Sequence, residues 1–147
     1  MATKTNAVRL VQQAGIPCRE AFYEFDEQDL SGGHAAQAIG MPEEQVFKTL
    51  VARGEKTGIN VFCIPVCCEL DLKKAAKAAG DKNMELVAVK ELLGLTGYIR
   101  GGCSPVGMKK SFPTVFHRTA ADLPTIMVSA GKIGYQVELS PADLMEL

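Results

Sequence analysis

The chain has no tryptophan, and aromatic residues make up only 6% of its 147 residues. Proteins that bind single-stranded nucleic acid by stacking need several exposed rings, so the composition argues against that class. An excess of positive charge is also missing. Sixteen Lys and Arg stand against 17 Asp and Glu, for a formal net charge of −1. Proteins that grip a duplex with a whole face are strongly basic, which leaves this chain at most a local basic patch. No apolar run approaches the ~18 residues that span a bilayer. The opening Met1 to Asn6 is polar, without the apolar stretch of a secretion signal. A cytoplasmic protein with no membrane partner is expected.

The standard catalytic sets are absent too. The two histidines, His34 and His117, lie in no nucleophile motif, and there is no Gly-x-Ser-x-Gly elbow. No C-x-x-C or H-x-x-x-H pair occurs, so no metal and no cofactor are expected. The five cysteines are odd in number and include the adjacent Cys67 and Cys68, which reads as reduced thiols. Cys63, Cys67 and Cys68 are expected to be buried as small apolar residues.

Hydrophobic residues make up 47% of the chain, enough for one core, and the length fits one domain over 1–147. Ala7, Leu10, Val11 and Ala14 recur at helical spacing before Gly15. Residues Cys18 to Phe25 read as extended. Gly32-Gly33 reads as a loop, followed by a helical turn from Ala35 to Ile39 that ends at Gly40. Pro42, Glu43 and Glu44 resemble the first turn of a further helix. Two apolar runs, Lys48 to Arg53 and Ile59 to Val66, flank the turn Gly54-Glu55-Lys56-Thr57-Gly58 and predict a hairpin. Asp71 can cap a helix that carries Leu72, Ala75, Ala76 and Ala79 on one face and Lys73, Lys74 and Lys77 on the other, with Gly80 at its end. Val89 to Leu95 predicts a short helix, and Thr114 to His117 and Thr125 to Ser129 predict strands. The alternation of Tyr135, Val137 and Leu139 with Gln136 and Glu138 predicts a half-buried strand. Ser140-Pro141-Ala142-Asp143 then starts a last helix. The mixture predicts an α+β domain on a mixed sheet.

Three features could carry chemistry. Lys48 enters an apolar strand, where it either points to solvent or lies at the floor of a cleft and holds an anion. The Gly101-Gly102-Cys103-Ser104-Pro105-Val106-Gly107 segment could aim main-chain amides at a ligand or form a plain tight turn. It is not a phosphate-binding P-loop, because Met108 stands where that motif needs lysine. Ser129-Ala130-Gly131-Lys132 reads as a small-residue bend between strands. Lys73, Lys74 and Lys77, with Lys109 and Lys110, are the best local patches for a polyanion; the alternative is an ordinary solvated face.

Taken in order, Val46-Phe47-Lys48-Thr49-Leu50-Val51, Asp71 to Lys77, Thr96-Gly97-Tyr98 running into Gly101 to Gly107, and Ser129 to Lys132 resemble the YbaK family of aminoacyl-tRNA deacylases. That family is related to the editing domain inserted in bacterial prolyl-tRNA synthetases. The resemblance implies a mixed, barrel-like β-sheet surrounded by helices, with an active cleft around Lys48 followed by Thr49. It implies an opposite wall from Gly101, Gly102, Ser104 and Pro105, a pocket tyrosine at Tyr23, and Ser129 and Gly131 on the far side. The family's bulky pocket aromatic has no counterpart around Leu30 and Ser31. Gly-Gly-x-Ser-Pro-x-Gly followed by Lys-Lys, with Ser-Ala-Gly-Lys later, is similar to the branch that clears cysteine from mischarged tRNA(Pro). In that branch the substrate thiol attacks its own ester, Lys48 and the Gly101 and Gly102 amides hold the aminoacyl end, and prolyl-tRNA synthetase is the expected partner. A family member acting on Ala- or Ser-tRNA, or a non-catalytic module that binds an aminoacyl end or an anion, remains open at this point.

Overall fold

The computed structural model describes residues 5–24, 32–110 and 112–147. Helix α1 (Asn6–Gln13) starts at Thr5, whose Oγ1 accepts the Val8 N–H at 3.3 Å. The same hydroxyl donates to the Ala130 carbonyl and ties the helix to a distant strand. Its buried face is Ala7, Val8 and Val11, with Ala14 exposed, so the stripe is turned toward Val8 relative to the predicted one. Gly15 ends it at φ +73°, where a side chain would be strained. Strand β1 (Cys18–Phe22) follows. Of the predicted extended run, Phe25 lies outside the described residues, as do Leu30 and Ser31. Helix α2 (Gly32–Ile39) already includes the two glycines predicted as a loop. Pro42 precedes only a single 3₁₀ turn (Glu43–Gln45), because the chain becomes extended at Val46.

Strands β2 (Phe47–Gly54) and β3 (Gly58–Pro65) form the predicted hairpin. Its turn is fastened from outside. The Asp81 carboxylate accepts the Thr57 N–H at 2.8 Å, the Thr57 hydroxyl at 2.7 Å and the Lys56 N–H at 3.1 Å. These bonds, the Thr57 hydroxyl first, hold Asp81 well below the usual carboxylate range. Helix α3 (Leu72–Ala79) is capped by Asp71, which accepts the Lys73 and Lys74 N–H groups, and it ends at Gly80 in the left-handed region. Ala75 and Ala76 pack on Ala52, Phe62 and Met84, leaving Lys73, Lys74 and Lys77 exposed.

A three-residue strand, β4 (Met84–Leu86), was not foreseen from the sequence, which is too short there to display a period. Helix α4 (Val89–Thr96) and strand β5 (Thr114–Phe116) come next. Strand β6 (Ile126–Lys132) runs through the stretch predicted as a bend. The small residues mark a bulge between Ser129 and Lys132, where the pairing shifts but the strand continues. Strand β7 (Tyr135–Leu139) is buried at Gln136 as well as at Tyr135, Val137 and Leu139, because it lies in the middle of its sheet with both faces covered. Helix α5 (Pro141–Glu146) begins at the expected Ser140 cap.

The strands form two sheets, in the orders β1-β7-β6 and β4-β2-β3-β5. All pairings are antiparallel except that of β3 with β5, which makes the second sheet mixed. The sheets meet at a parallel bridge between Val46 and Met127. The larger core lies between them and includes Phe47, Val51, Val61, Cys63, Ile126, Val128, Val137 and Leu139, with α1 covering it through Val8 and Val11. The α+β class is as expected, and barrel-like describes the arrangement only loosely, since the described strands remain two sheets. No helix among the described residues is long and apolar enough to cross a membrane.

Candidate active site

The site begins with a gap along one edge of β2. The N–H and C=O groups of alternate residues in an antiparallel strand point to opposite edges. The Val46 carbonyl accepts the Val66 N–H at 2.8 Å on the β3 side, and the Val51 carbonyl accepts the Val87 N–H at 3.0 Å on the β4 side. Lys48 and Leu50 therefore pair with β3, whereas the main chain of Thr49 points outward. On that outer edge β6 meets the chain at Val46, and β4 pairs only from Ala52 onward. Between these contacts Thr49 faces a cavity of about 470 Å³. All six residues from Val46 to Val51 line it, which a strand face cannot do and a strand edge can.

The rest of the lining comes from distant segments. Tyr23, just past β1, is placed by its N–H donating to the Gly134 carbonyl at 3.0 Å. Ser129 and Gln136 are cross-strand partners on β6 and β7 and line the same wall. Arg100, Gly101 and Cys103 arrive from the segment after α4. Lys48 is half-buried, and no carboxylate among the described residues pairs with it. Thr49 Oγ1 contacts Cys63 Sγ at 3.8 Å. Burial pushes the Cys103 thiol up to about 11 and the Cys63 thiol up to about 12, so at neutral pH both are protonated.

The structure thus brings Tyr23, Lys48, Thr49, Gly101 and Ser129 to one cavity. Others of the expected set stand behind it. Gly102 was expected as a second amide donor, but its N–H is already donated to the Ile99 carbonyl at 3.0 Å. A Cβ at Gly102 would sit 3.1 Å from the Ile133 main-chain nitrogen, so its role is close packing of the loop on the β6–β7 turn. Ser104 is fully buried, and its Oγ accepts the Val106 N–H at 3.2 Å. Gly131, at φ +99°, leaves room for the Tyr98 ring and donates its N–H to Ser129 Oγ at 3.1 Å, which orients that hydroxyl. Pro105 lines a different cavity of about 560 Å³, with Leu10, Met108, Phe112, Leu144 and Met145. Lys73, Lys74, Lys77 and Lys109 are exposed away from the Lys48 cavity, and Lys110 lines the second one. The expectation that Cys63, Cys67 and Cys68 are all buried holds for Cys63 alone. Cys67 is exposed, with its sulfur 4.0 Å from that of the half-buried Cys68.

Sequence reasoning missed Gln136, Arg100 and Cys103. Gln136 read as the solvent side of an alternating strand, and only the covered second face of β7 reverses that reading.

A family model for the aminoacyl-tRNA editing domain matches residues 32–147, which contain every residue named above as lining the Lys48 cavity except Tyr23. The chain belongs to that family. Among members and relatives, the Enterococcus faecalis (strain ATCC 700802 / V583) protein named "Putative Cys-tRNA(Pro)/Cys-tRNA(Cys) deacylase EbsC" is 49% identical over 144 residues, spanning 98% of this chain and 88% of that protein. The proline–tRNA ligase of Burkholderia ambifaria (strain MC40-6) is 28% identical over 131 residues, spanning 83% of this chain but only 23% of the ligase. The crystal structure of "a putative trans-editing enzyme for prolyl tRNA synthetase" superimposes with a TM-score of 0.77 at 26% identity, covering 97% of this chain and 92% of that one. The editing domain is therefore found both as a protein of about this length and as a minor part of a synthetase, and the motif resemblance to the YbaK family stands.

Proposed function

We propose that this chain is a trans-editing deacylase that removes cysteine from mischarged Cys-tRNA(Pro), with the aminoacyl end held in the cavity along β2. The observation that carries the reading is convergence: Tyr23, Lys48, Gly101 and Ser129, far apart in sequence, line one cavity in a chain of the editing family. Its similarity to the Enterococcus faecalis protein supports cysteine as the amino acid.

The ester of an aminoacyl-tRNA is already activated, so positioning and oxyanion stabilisation can carry much of the rate. Lys48 holds the ester carbonyl oxygen or the terminal ribose, and the Gly101 amide, in the same lining, donates to the carbonyl oxygen. One such donor is worth ~3–4 kcal/mol in a transition state. The ionisable groups among the described lining residues are Tyr23, Lys48, Arg100 and Cys103, and none of these is an acid or an imidazole. Nor is Cys103 a ready nucleophile, because burial pushes its thiol up to about 11 and keeps it protonated at neutral pH. The substrate sulfur takes that role. It bonds to its own carbonyl carbon, the ester C–O bond breaks, and the thiol proton ends on the ribose oxygen, which leaves a thiolactone and free tRNA.

Such editing meets a thermodynamic need. A synthetic site cannot strongly exclude a slightly smaller side chain, since one methylene is worth only ~1–3 kcal/mol. With a net charge of −1, the chain takes its tRNA beside prolyl-tRNA synthetase, and Lys73, Lys74, Lys77, Lys109 and Lys110 provide the local contacts to phosphate. The test is deacylation of Cys-tRNA(Pro), Cys-tRNA(Cys), Ala-tRNA(Pro) and S-methyl-Cys-tRNA(Pro) by the purified protein, with and without the synthetase. Turnover of the free-thiol substrates alone is the expected result. Turnover of the methylated or alanyl ester would overturn the thiol route, and no turnover of any would leave a binding module.

A further inference from the structure

Gln136 sits on the central strand of its sheet and is only 6% exposed, yet its Oε1 is buried with no hydrogen-bond partner among the described residues. Buried acceptors are nearly always paired, and an unpaired one destabilises the fold unless something else supplies a donor. Neither strand neighbour does so. Ala21, paired on the β1 side, has no polar side chain, and Ser129, paired on the β6 side, accepts the Gly131 N–H at its Oγ and makes no hydrogen bond to Gln136 Oε1. Gln136 also lines the Lys48 cavity, where a bound ligand can supply the missing donor.

We infer that Gln136 is a specificity-determining residue whose amide oxygen receives the α-ammonium of the bound aminoacyl ester. The inference rests on the deacylase reading and deepens it. An aminoacyl end carries oxygen acceptors and one strong cationic donor. Lys48 attracts the oxygens and repels the ammonium, which must settle against an acceptor elsewhere in the cavity. A neutral amide suits that place. It accepts the N–H without forming the ion pair through which a carboxylate would neutralise Lys48. The site thereby distinguishes an aminoacyl ester from an acyl ester of the same size.

The test compares Cys-tRNA(Pro) with its deamino analogue, 3-mercaptopropionyl-tRNA(Pro), in the wild type, Gln136→Met and Gln136→Glu. Gln136→Met keeps the length and removes the acceptor. It should lower kcat/KM on Cys-tRNA(Pro) by about 10- to 100-fold, leave the deamino substrate within about twofold, and hold or raise Tm by removing an unpaired buried oxygen. Gln136→Glu restores an acceptor and should restore the preference for the amine. Equal losses on both substrates, or no loss on either, would overturn the inference while leaving the deacylase intact. A fall in Tm for Gln136→Met, with the preference unrestored in Gln136→Glu, would also overturn it by making Gln136 structural. Absence of wild-type turnover would overturn the deacylase reading and this inference with it.

Discussion

Two of the cavities on this molecule share the glycine-rich loop, are similar in size and differ in the side chains they gather. The larger, about 560 Å³, is lined by side chains such as Leu10, Met108, Phe112, Leu144 and Met145, with Lys110 as its one charged side chain among the described residues. The smaller, about 470 Å³, places Lys48, a strand edge, a glycine in the left-handed region and the orphan oxygen of Gln136 around one space. Volume alone would choose the first. Convergent polar groups, which fix a ligand's orientation and stabilise developing charge, choose the second. The glycine-rich loop links the two, since Gly101 faces the Lys48 cavity and Pro105 the larger one. One loop thus lines the candidate site on one side and a second cavity on the other.

The sharpest way to break that contrast is to remove the cation. Lys48→Ala should lower single-turnover deacylation of Cys-tRNA(Pro) by about 100- to 1000-fold, the loss typical of a transition-state donor, with the unfolding midpoint little changed. Retained activity would move the chemistry out of this cavity. A smaller effect sharpens the role of the protein's own thiols. Burial holds Cys103 at about 11 and Cys63 at about 12, so both should resist alkylation by iodoacetamide up to pH 9 while exposed Cys67 reacts first. Because neither buried thiol ionises in that range, kcat/KM should rise with pH as the substrate thiol ionises, and Cys103→Ser should leave the profile in place. A profile that shifts in Cys103→Ser would make the protein, not the substrate, the source of the nucleophile. The smallest effect is expected from Met145→Ala in the larger cavity, where deacylation should stay within about twofold of wild type. A larger loss would show that the two cavities are coupled through the shared loop.

Local signals in the sequence were read most reliably where one element satisfies its own rules. The β2–β3 hairpin had two apolar runs around a glycine-rich turn, and α3 had Asp71 and Gly80 at its ends, so both were legible. Ser129 to Lys132 was misread because small residues signal a turn in isolation, and the β-bulge they form depends on pairing with β7. The cavity was legible only through motif resemblance. Lys48 on a strand could equally face solvent, and what makes it part of a site is the gap left between β6 and β4, a property of sheet order that no local pattern encodes. Gln136 was invisible for the same reason: alternation marks it as outward, and a covered outer face turns that position into an interior wall.

The central claim is that the aminoacyl end lies along the open edge of β2. A crystal structure with a non-hydrolysable mimic of that end, S-methylcysteine joined by an amide to 3′-amino-3′-deoxyadenosine, tests it most directly. The expected density places the amide carbonyl beside Lys48 and Gly101 and the α-ammonium beside Gln136. Density in the Pro105 cavity with the β2 edge left empty would contradict the account.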